Sequence, residues 1–290
     1  MLIAIFGLFY NNLTKEKQMI KVGSLQYGVI FKKAFSEPDI FKPFIDDFFG
    51  IDIQITTVET EKTFYPPVGS VDCRFDLYAE DTINRIILDI QHVRHFDHYH
   101  RFLHYHCAAL LDQIKSSKDY FPPQKVFTLV VLTSGDRHKK DIGIIDFDPK
   151  DLNGESFNEI HHKVMFICPK YINENTPEPY AQWMKAINDS LDEEVEETEY
   201  DRPEIQKIFD CIKQDKITPR ERAIMIDEYS FGLLEKAAEE KGIEKGIEKG
   251  IDEGIALIVK KMLFEKKLSK QKVSELTGFS IDAIEKLSIK

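Results

Sequence analysis

The sequence predicts an α/β core, a mixed central sheet flanked by helices, followed by a helical C-terminal region, and three observations carry that fold class. Two segments with helical apolar periodicity precede three segments with the composition of strands. A continuous apolar run, VFTLVVLT at 126–133, follows a further helical pattern and suits a strand buried on both faces. Past residue 205 the strand patterns stop and a glycine-punctuated helical repeat begins. With 290 residues, 42% hydrophobic and 31% charged, the chain can bury one sizeable core and still carry a smaller appended region.

The elements follow in order. Tyr27, Phe31 and Phe35 recur every four residues with Ile30 and Ala34 beside them, which predicts a helix with Lys32 and Lys33 on its flank. A second helix is predicted over 37–49, with Pro38 in its first turn, Ile40, Phe41, Phe44, Ile45 and Phe48 as its stripe and Gly50 as its stop. Strands are predicted at 51–59, 71–79, 86–93 and 126–133. Before the last of these, Phe96, Tyr99, Leu103, Cys107, Leu110 and Ile114 are spaced 3, 4, 4, 3 and 4 apart, predicting a helix over 95–118 with these residues inward. Strands at 142–147 and 163–168 and a helix at 179–188 complete a core domain over 19–188.

Residues 1–18 read as an N-terminal extension, with Met19 as an alternative start. Their apolar run has no basic stretch before it and no cleavage pattern, and it is too short to span a bilayer, so no signal peptide or membrane anchor is expected. Cys73, Cys107, Cys168 and Cys211 lie far apart with no C-x-x-C pair, so no disulfide framework is expected and a reducing cytoplasm is the default.

The net charge of −11 argues at first against a nucleic-acid partner. Its location changes that: residues 189–204 hold nine acids and one arginine, leaving only −3 for the rest, and read as a solvated acidic linker. Residues 256–290 carry eight lysines against four acids, so charge neither demands nor excludes DNA. The helical region over 205–290 contains KGIEKGIEKGIDEG, with Gly242, Gly246, Gly250 and Gly254 each followed by isoleucine. Each glycine costs a helix about 0.8–1 kcal/mol relative to alanine, so the repeat is either a spacer or a close helix–helix contact that would make a homo-oligomer. Ser269, Gly278 and Ser280 then cap and separate two short helices.

The residues that carry chemistry lie on the hairpin around EDTINR. A two- or four-residue loop centred between Thr82 and Ile83 sets Asp76 opposite Asp89 and Arg74 opposite Gln91. Side-chain alternation puts Asp72, Arg74 and Asp76 on one face, with Ile87, Asp89 and Gln91. Opposed carboxylates about 4.5–5.5 Å apart at Cβ repel unless something neutralises them. A divalent cation does so most simply, and Mg²⁺ accepts one or two carboxylates while keeping water for use as a nucleophile.

The order of helices, Asp-bearing strand, Asp-x-Gln strand, long helix and buried strand resembles the PD-(D/E)XK nuclease superfamily. Gly28-x-x-Phe31-Lys32-Lys33, Phe75-Asp76-Leu77-Tyr78-Ala79, Leu88-Asp89-Ile90-Gln91, Arg101-x-x-x-Tyr105 and the stretch from Gln113 to Tyr120 resemble the Rpn family of recombination-promoting nucleases. The EKGIEKG repeat and Thr277-Gly278 extend that resemblance over most of the chain. It implies a Mg²⁺-dependent DNA endonuclease linked to recombination or transposition. Asp76 and Asp89 would be metal ligands, the Ile90 carbonyl a third, Gln91 would stand in place of the superfamily lysine, and Lys32, Arg101 and Tyr105 would face the substrate.

Three departures thin the implied site. Asp89 is shorter by one methylene than the family's usual glutamate, Gln91 brings no positive charge, and Gly28 stands where many relatives carry an aspartate. They keep open a catalytically inactive nucleic-acid-binding or self-associating protein with a degenerate site. Six of nine histidines fall between His92 and His106, and His100 and His104 are one helical turn apart, but no H-E-x-x-H pattern supports a zinc hydrolase. Neither a glycine-rich phosphate loop nor a G-x-S-x-G elbow is present, so NTPases, kinases and serine hydrolases are unsupported.

Overall fold

The computed structural model describes residues 19–64, 73–92, 98–113 and 121–289; the expected extension over 1–18 lies outside them. The chain begins with a short strand, β1 (Met19–Lys21), and two helices, α1 (Gly28–Phe35) and α2 (Pro38–Phe49). Both expected apolar stripes are buried, and Gly50 ends α2 at φ 66°, a left-handed conformation that costs glycine little. Then come β2 (Glu59–Phe64), β3 (Cys73–Glu80), β4 (Asn84–Gln91), α3 (His98–Leu111) and β5 (Lys125–Leu132). They are followed by β6 (Ile142–Asp146), β7 (Lys163–Ile167) and α4 (Tyr180–Asp189).

Among the described residues one six-stranded mixed sheet runs in the order β2-β3-β4-β5-β7-β6, with β4, β5 and β7 parallel and the remaining pairs antiparallel. Alternation along the central strands feeds two cores. Ile86, Leu88, Ile90, Leu129 and Val131 face α1, α2 and α4, whereas Ile87, Val126, Val130 and Leu132 face α3. The predicted α/β class, with a mixed sheet between helices, is the observed one.

Four expectations are corrected. Residues 51–58 form no strand; the first sheet strand is the polar segment Glu59–Phe64, on the sheet edge. Ile53 and Ile55 are nonetheless buried, because an extended loop laid over the core shows the same alternation as a strand. The inward face of α3 is Phe102, Tyr105, His106 and Ala109, rather than the stripe through Leu103 and Cys107. His106 turns inward because its Nδ1 pairs with Thr128 Oγ1 at 2.9 Å and its ring stacks on Phe147. Residues 93–97 and 114–120, the ends of that expected helix, lie outside the described residues.

The acidic segment is folded rather than a solvated linker. Its strand β8 (Glu194–Glu196) pairs antiparallel with β1, burying Val195 and setting Ile20 opposite it. Tyr200 and the helix α5 (Pro203–Ile212) then add Ile205, Ile208, Phe209 and Ile212 to the core under α1 and α2. Its acids stay largely at the surface, so the local charge pattern is real and only the inference of disorder fails.

The long helix α6 (Pro219–Lys260) follows, and the chain divides into two compact units between Glu228 and Tyr229. The second unit ends in a helical hairpin, α7 (Lys270–Thr277) and α8 (Ile281–Ile289), around buried Val259, Val273 and Ile284. Ser269 caps α7 by accepting from Lys272 N, and Gly278 turns the chain at φ 75°. No helix among the described residues is long and apolar enough to cross a membrane.

Candidate metal centre

The hairpin turn sets the register from which the site follows. Asp81 Oδ1 accepts from Ile83 N and Asn84 N, each at 2.7 Å, and Asp81 N donates to Asn84 O, so a two-residue loop closes around Thr82 and Ile83. The ladder then pairs Glu80 with Arg85, Ala79 with Ile86, Tyr78 with Ile87 and Leu77 with Leu88. Extended by one step, that register sets Asp76 against Asp89.

At that step β3 and β4 part, and the two aspartates take over the bonding. Ile90 N donates to Asp76 Oδ2 at 3.1 Å and Asp76 N donates to Asp89 Oδ2 at 3.3 Å, so each carboxylate caps the opposite strand. Strict alternation breaks here, since Cys73 and Phe75 join the same core cluster as Tyr78, while Leu77 joins the other. The expected pairing of Arg74 with Gln91 is therefore absent. Arg74 is exposed and bonds Glu61 on β2, and Gln91 Nε2 donates to Asp89 Oδ1 at 3.0 Å. Asp72 lies outside the described residues.

Asp89 is buried, at 3% exposure. Burial, then the Asp76 charge, pushes its carboxyl up to about 8. Asp76 is also raised, by burial first, although Lys32 opposes the shift. Lys32 Nζ lies 3.5 Å from Asp76 Oδ1 and bonds Glu61. Burial alone would lower the Lys32 pKa, but Glu61, Asp76 and Glu228 together hold it above its ordinary value, so the ammonium stays charged.

Arg101 and Tyr105 approach from α3. Arg101 Nε donates to Tyr105 Oη at 3.3 Å, and the Tyr105 ring meets Phe75, beside Asp76, at 5.5 Å between centroids. Arg101 also draws the Asp89 pKa down slightly from that side. Thus Asp76, Asp89, Gln91, Lys32, Arg101 and Tyr105 converge on the split between β3 and β4, and Ile90 presents its N–H to it. His100 and His104 are exposed on α3, away from any donor cluster.

Two acidic neighbours escaped the sequence pattern. Glu61 carries an unusual positive φ of 59° at an edge strand, and Glu228 arrives on α6, 200 residues from the Gly28 N–H that its Oε2 accepts at 2.8 Å. Neither has a local signature. Among the described residues no three His, Cys, Asp or Glu side chains are gathered closely enough to hold a metal by themselves. Two carboxylates, one fully desolvated and lacking an adjacent cation of its own, still suit Mg²⁺, which typically takes one or two protein carboxylates and completes its shell with water and substrate.

No curated protein sequence and no solved structure matches the chain. A family model described as PD-(D/E)XK nuclease family transposase matches residues 27–231, a span that takes in α1, the split hairpin and Glu228. The chain belongs to the PD-(D/E)XK nuclease family transposases.

Proposed function

We propose that the protein is a Mg²⁺-dependent endonuclease that hydrolyses DNA phosphodiesters in recombination or transposition. The observation that carries this reading is the pair Asp76 and Asp89, each bonded to the other's strand where the ladder opens. A divalent cation bound there would neutralise the pair, polarise the phosphodiester and make water nucleophilic near neutral pH.

The chain's own residues supply the rest. Asp76, Asp89 and the Ile90 carbonyl would hold the cation, and Gln91 orients Asp89 through its amide without adding charge. Lys32 restores the positive charge that Gln91 lacks, since its ammonium already faces Asp76 and can follow a developing oxyanion. Arg101, braced on Tyr105, would bind a substrate phosphate from the α3 side.

Nicking of supercoiled plasmid in Mg²⁺ tests the reading. The wild type should nick, Asp76→Ala and Asp89→Ala should fall to the level seen with chelator, and Lys32→Met should retain the fold but lose rate. Equal nicking by all variants would end the assignment. A second reading, a silent nucleic-acid-binding or self-associating protein, draws on the uncharged Gln91 and on the exposed Ile243, Ile247 and Ile251 of α6. It predicts DNA retention or self-association with no nicking in any variant.

A further inference from the structure

We infer that Glu228, delivered by α6 to the N-terminus of α1, is the third carboxylate of this metal centre and completes its charge for a divalent cation. The inference rests on the proposed function above and concerns how this chain builds that site.

Geometry sets Glu228 beside the pair. Its Oε2 accepts the Gly28 N–H at 2.8 Å, and a side chain on residue 28 would start 3.6 Å from its Oε1 and 3.8 Å from Lys32 Nζ. Lys32 in turn stands 3.5 Å from Asp76 Oδ1. The space that a residue-28 side chain would enter is therefore occupied by a carboxylate from another helix. The first turn of α1 has no acid of its own, and its N-cap Tyr27 makes no side-chain cap bond. Gly28, which thins the site when read along the chain, is the vacancy that admits Glu228.

Charge then distinguishes a ligand-site role from a plain cap. A neutral serine or asparagine would satisfy the Gly28 N–H without bringing charge toward Asp76. With Glu228, four carboxylates (Glu61, Asp76, Asp89 and Glu228) stand against the two cations Lys32 and Arg74, an excess of two negative charges that matches one divalent cation. Without Glu228 the excess is one. Since Oε2 is held by α1, Oε1 is the atom left to accept hydrogen bonds from the cation's hydration shell, and Glu228 acts as a positioning and charge-completing residue.

Calorimetric titration of Mn²⁺ into the full chain, with thermal melts of the metal-free protein, tests this. Glu228→Gln keeps an acceptor for the Gly28 N–H but removes the charge. It should weaken Mn²⁺ binding about 10- to 100-fold with little change in metal-free Tm. Adding Gly28→Asp to Glu228→Gln should recover most of that loss, because the new carboxylate starts in the same space. Wild-type Mn²⁺ affinity in Glu228→Gln, with binding abolished in Asp76→Asn, would overturn the inference and leave the proposed site standing. A lowered Tm with unchanged affinity would reduce Glu228 to a helix cap and also overturn it. Undiminished binding in Asp76→Asn, or no binding by the wild type, would overturn the site itself.

Discussion

Asp89 is held where water scarcely reaches it, facing a second carboxylate, with only Gln91 and a backbone amide as direct hydrogen-bond donors. Such a group serves cation binding at the expense of the metal-free fold. Asp89→Asn removes the buried charge while keeping an acceptor for Asp76 N. The metal-free Tm should rise, by roughly 2–4 °C for each kcal/mol of relieved repulsion. The Tm increment that Mg²⁺ gives the wild type should disappear, and differential scanning fluorimetry with and without Mg²⁺ reads both effects. His106 shows the opposite sign of titration. Burial first, and then His162, pushes its pKa down from 6.5 to about 3. In that window the unfolded chain binds a proton that the folded protein refuses, so stability falls as pH drops from 6.5 toward 3, by up to about 1.4 kcal/mol per unit. Replacing the pair with His106→Phe and Thr128→Val should flatten this dependence, as measured by urea unfolding between pH 7 and 4.

At the scale of elements, the core is closed by pieces that local pattern assigns elsewhere. β8 pairs with β1, and α5 buries four apolar side chains beside α1 and α2, so the compact unit reaches to Glu228. A chain ending at residue 188 would lose both elements and expose Val22, Phe31 and Phe35 to water. Large buried side chains are each worth about 1.5–3 kcal/mol, so that truncation should be insoluble or unfolded, whereas one ending at residue 240 should fold cooperatively. Trp183 provides the readout. It is the only tryptophan, it is fully buried on α4, its Nε1 donates to Asp47 at 2.6 Å, and Arg202 covers its ring. Its emission should shift to the red in one transition for the longer chain and start red-shifted in the shorter one. The helices α1 and α2 were legible from spacing and stops alone, because stripe, Pro38 and Gly50 are local signals. The strand at β2 was not, since Glu59–Phe64 lacks an apolar rhythm and is specified by its ladder with β3.

For the whole molecule, α6 is the element that runs from the nuclease-like unit into the C-terminal one. A methyl group at Gly242, Gly246, Gly250 or Gly254 would meet nothing within 4 Å, and Ile243, Ile247 and Ile251 are each more than half exposed. Nothing within the chain requires those glycines. Gly242→Ala, Gly246→Ala and Gly250→Ala combined should therefore stabilise the helix by about 0.8–1 kcal/mol per site. Circular dichroism at 222 nm should show the added helix content in the melting of this region, with the Trp183 transition unmoved.

Read from the chain alone, the hairpin, its two-residue loop, the alignment of Asp76 with Asp89 and the adjoining helices are determined, because each depends on residues within a few positions of one another. The same reading identified Lys32, Gln91, Arg101 and Tyr105 as members of one site. Only the tertiary structure decided that β3 leaves β4 beyond Leu77, that Arg74 turns to Glu61, that residues 189–204 staple the core, and that Glu228 fills the place beside Gly28. The physical reason is separation along the chain. Contacts such as Gly28 to Glu228 or Met19 to Glu196 join residues nearly 200 positions apart, and they are selected by the packing of whole elements rather than by any pattern within one of them.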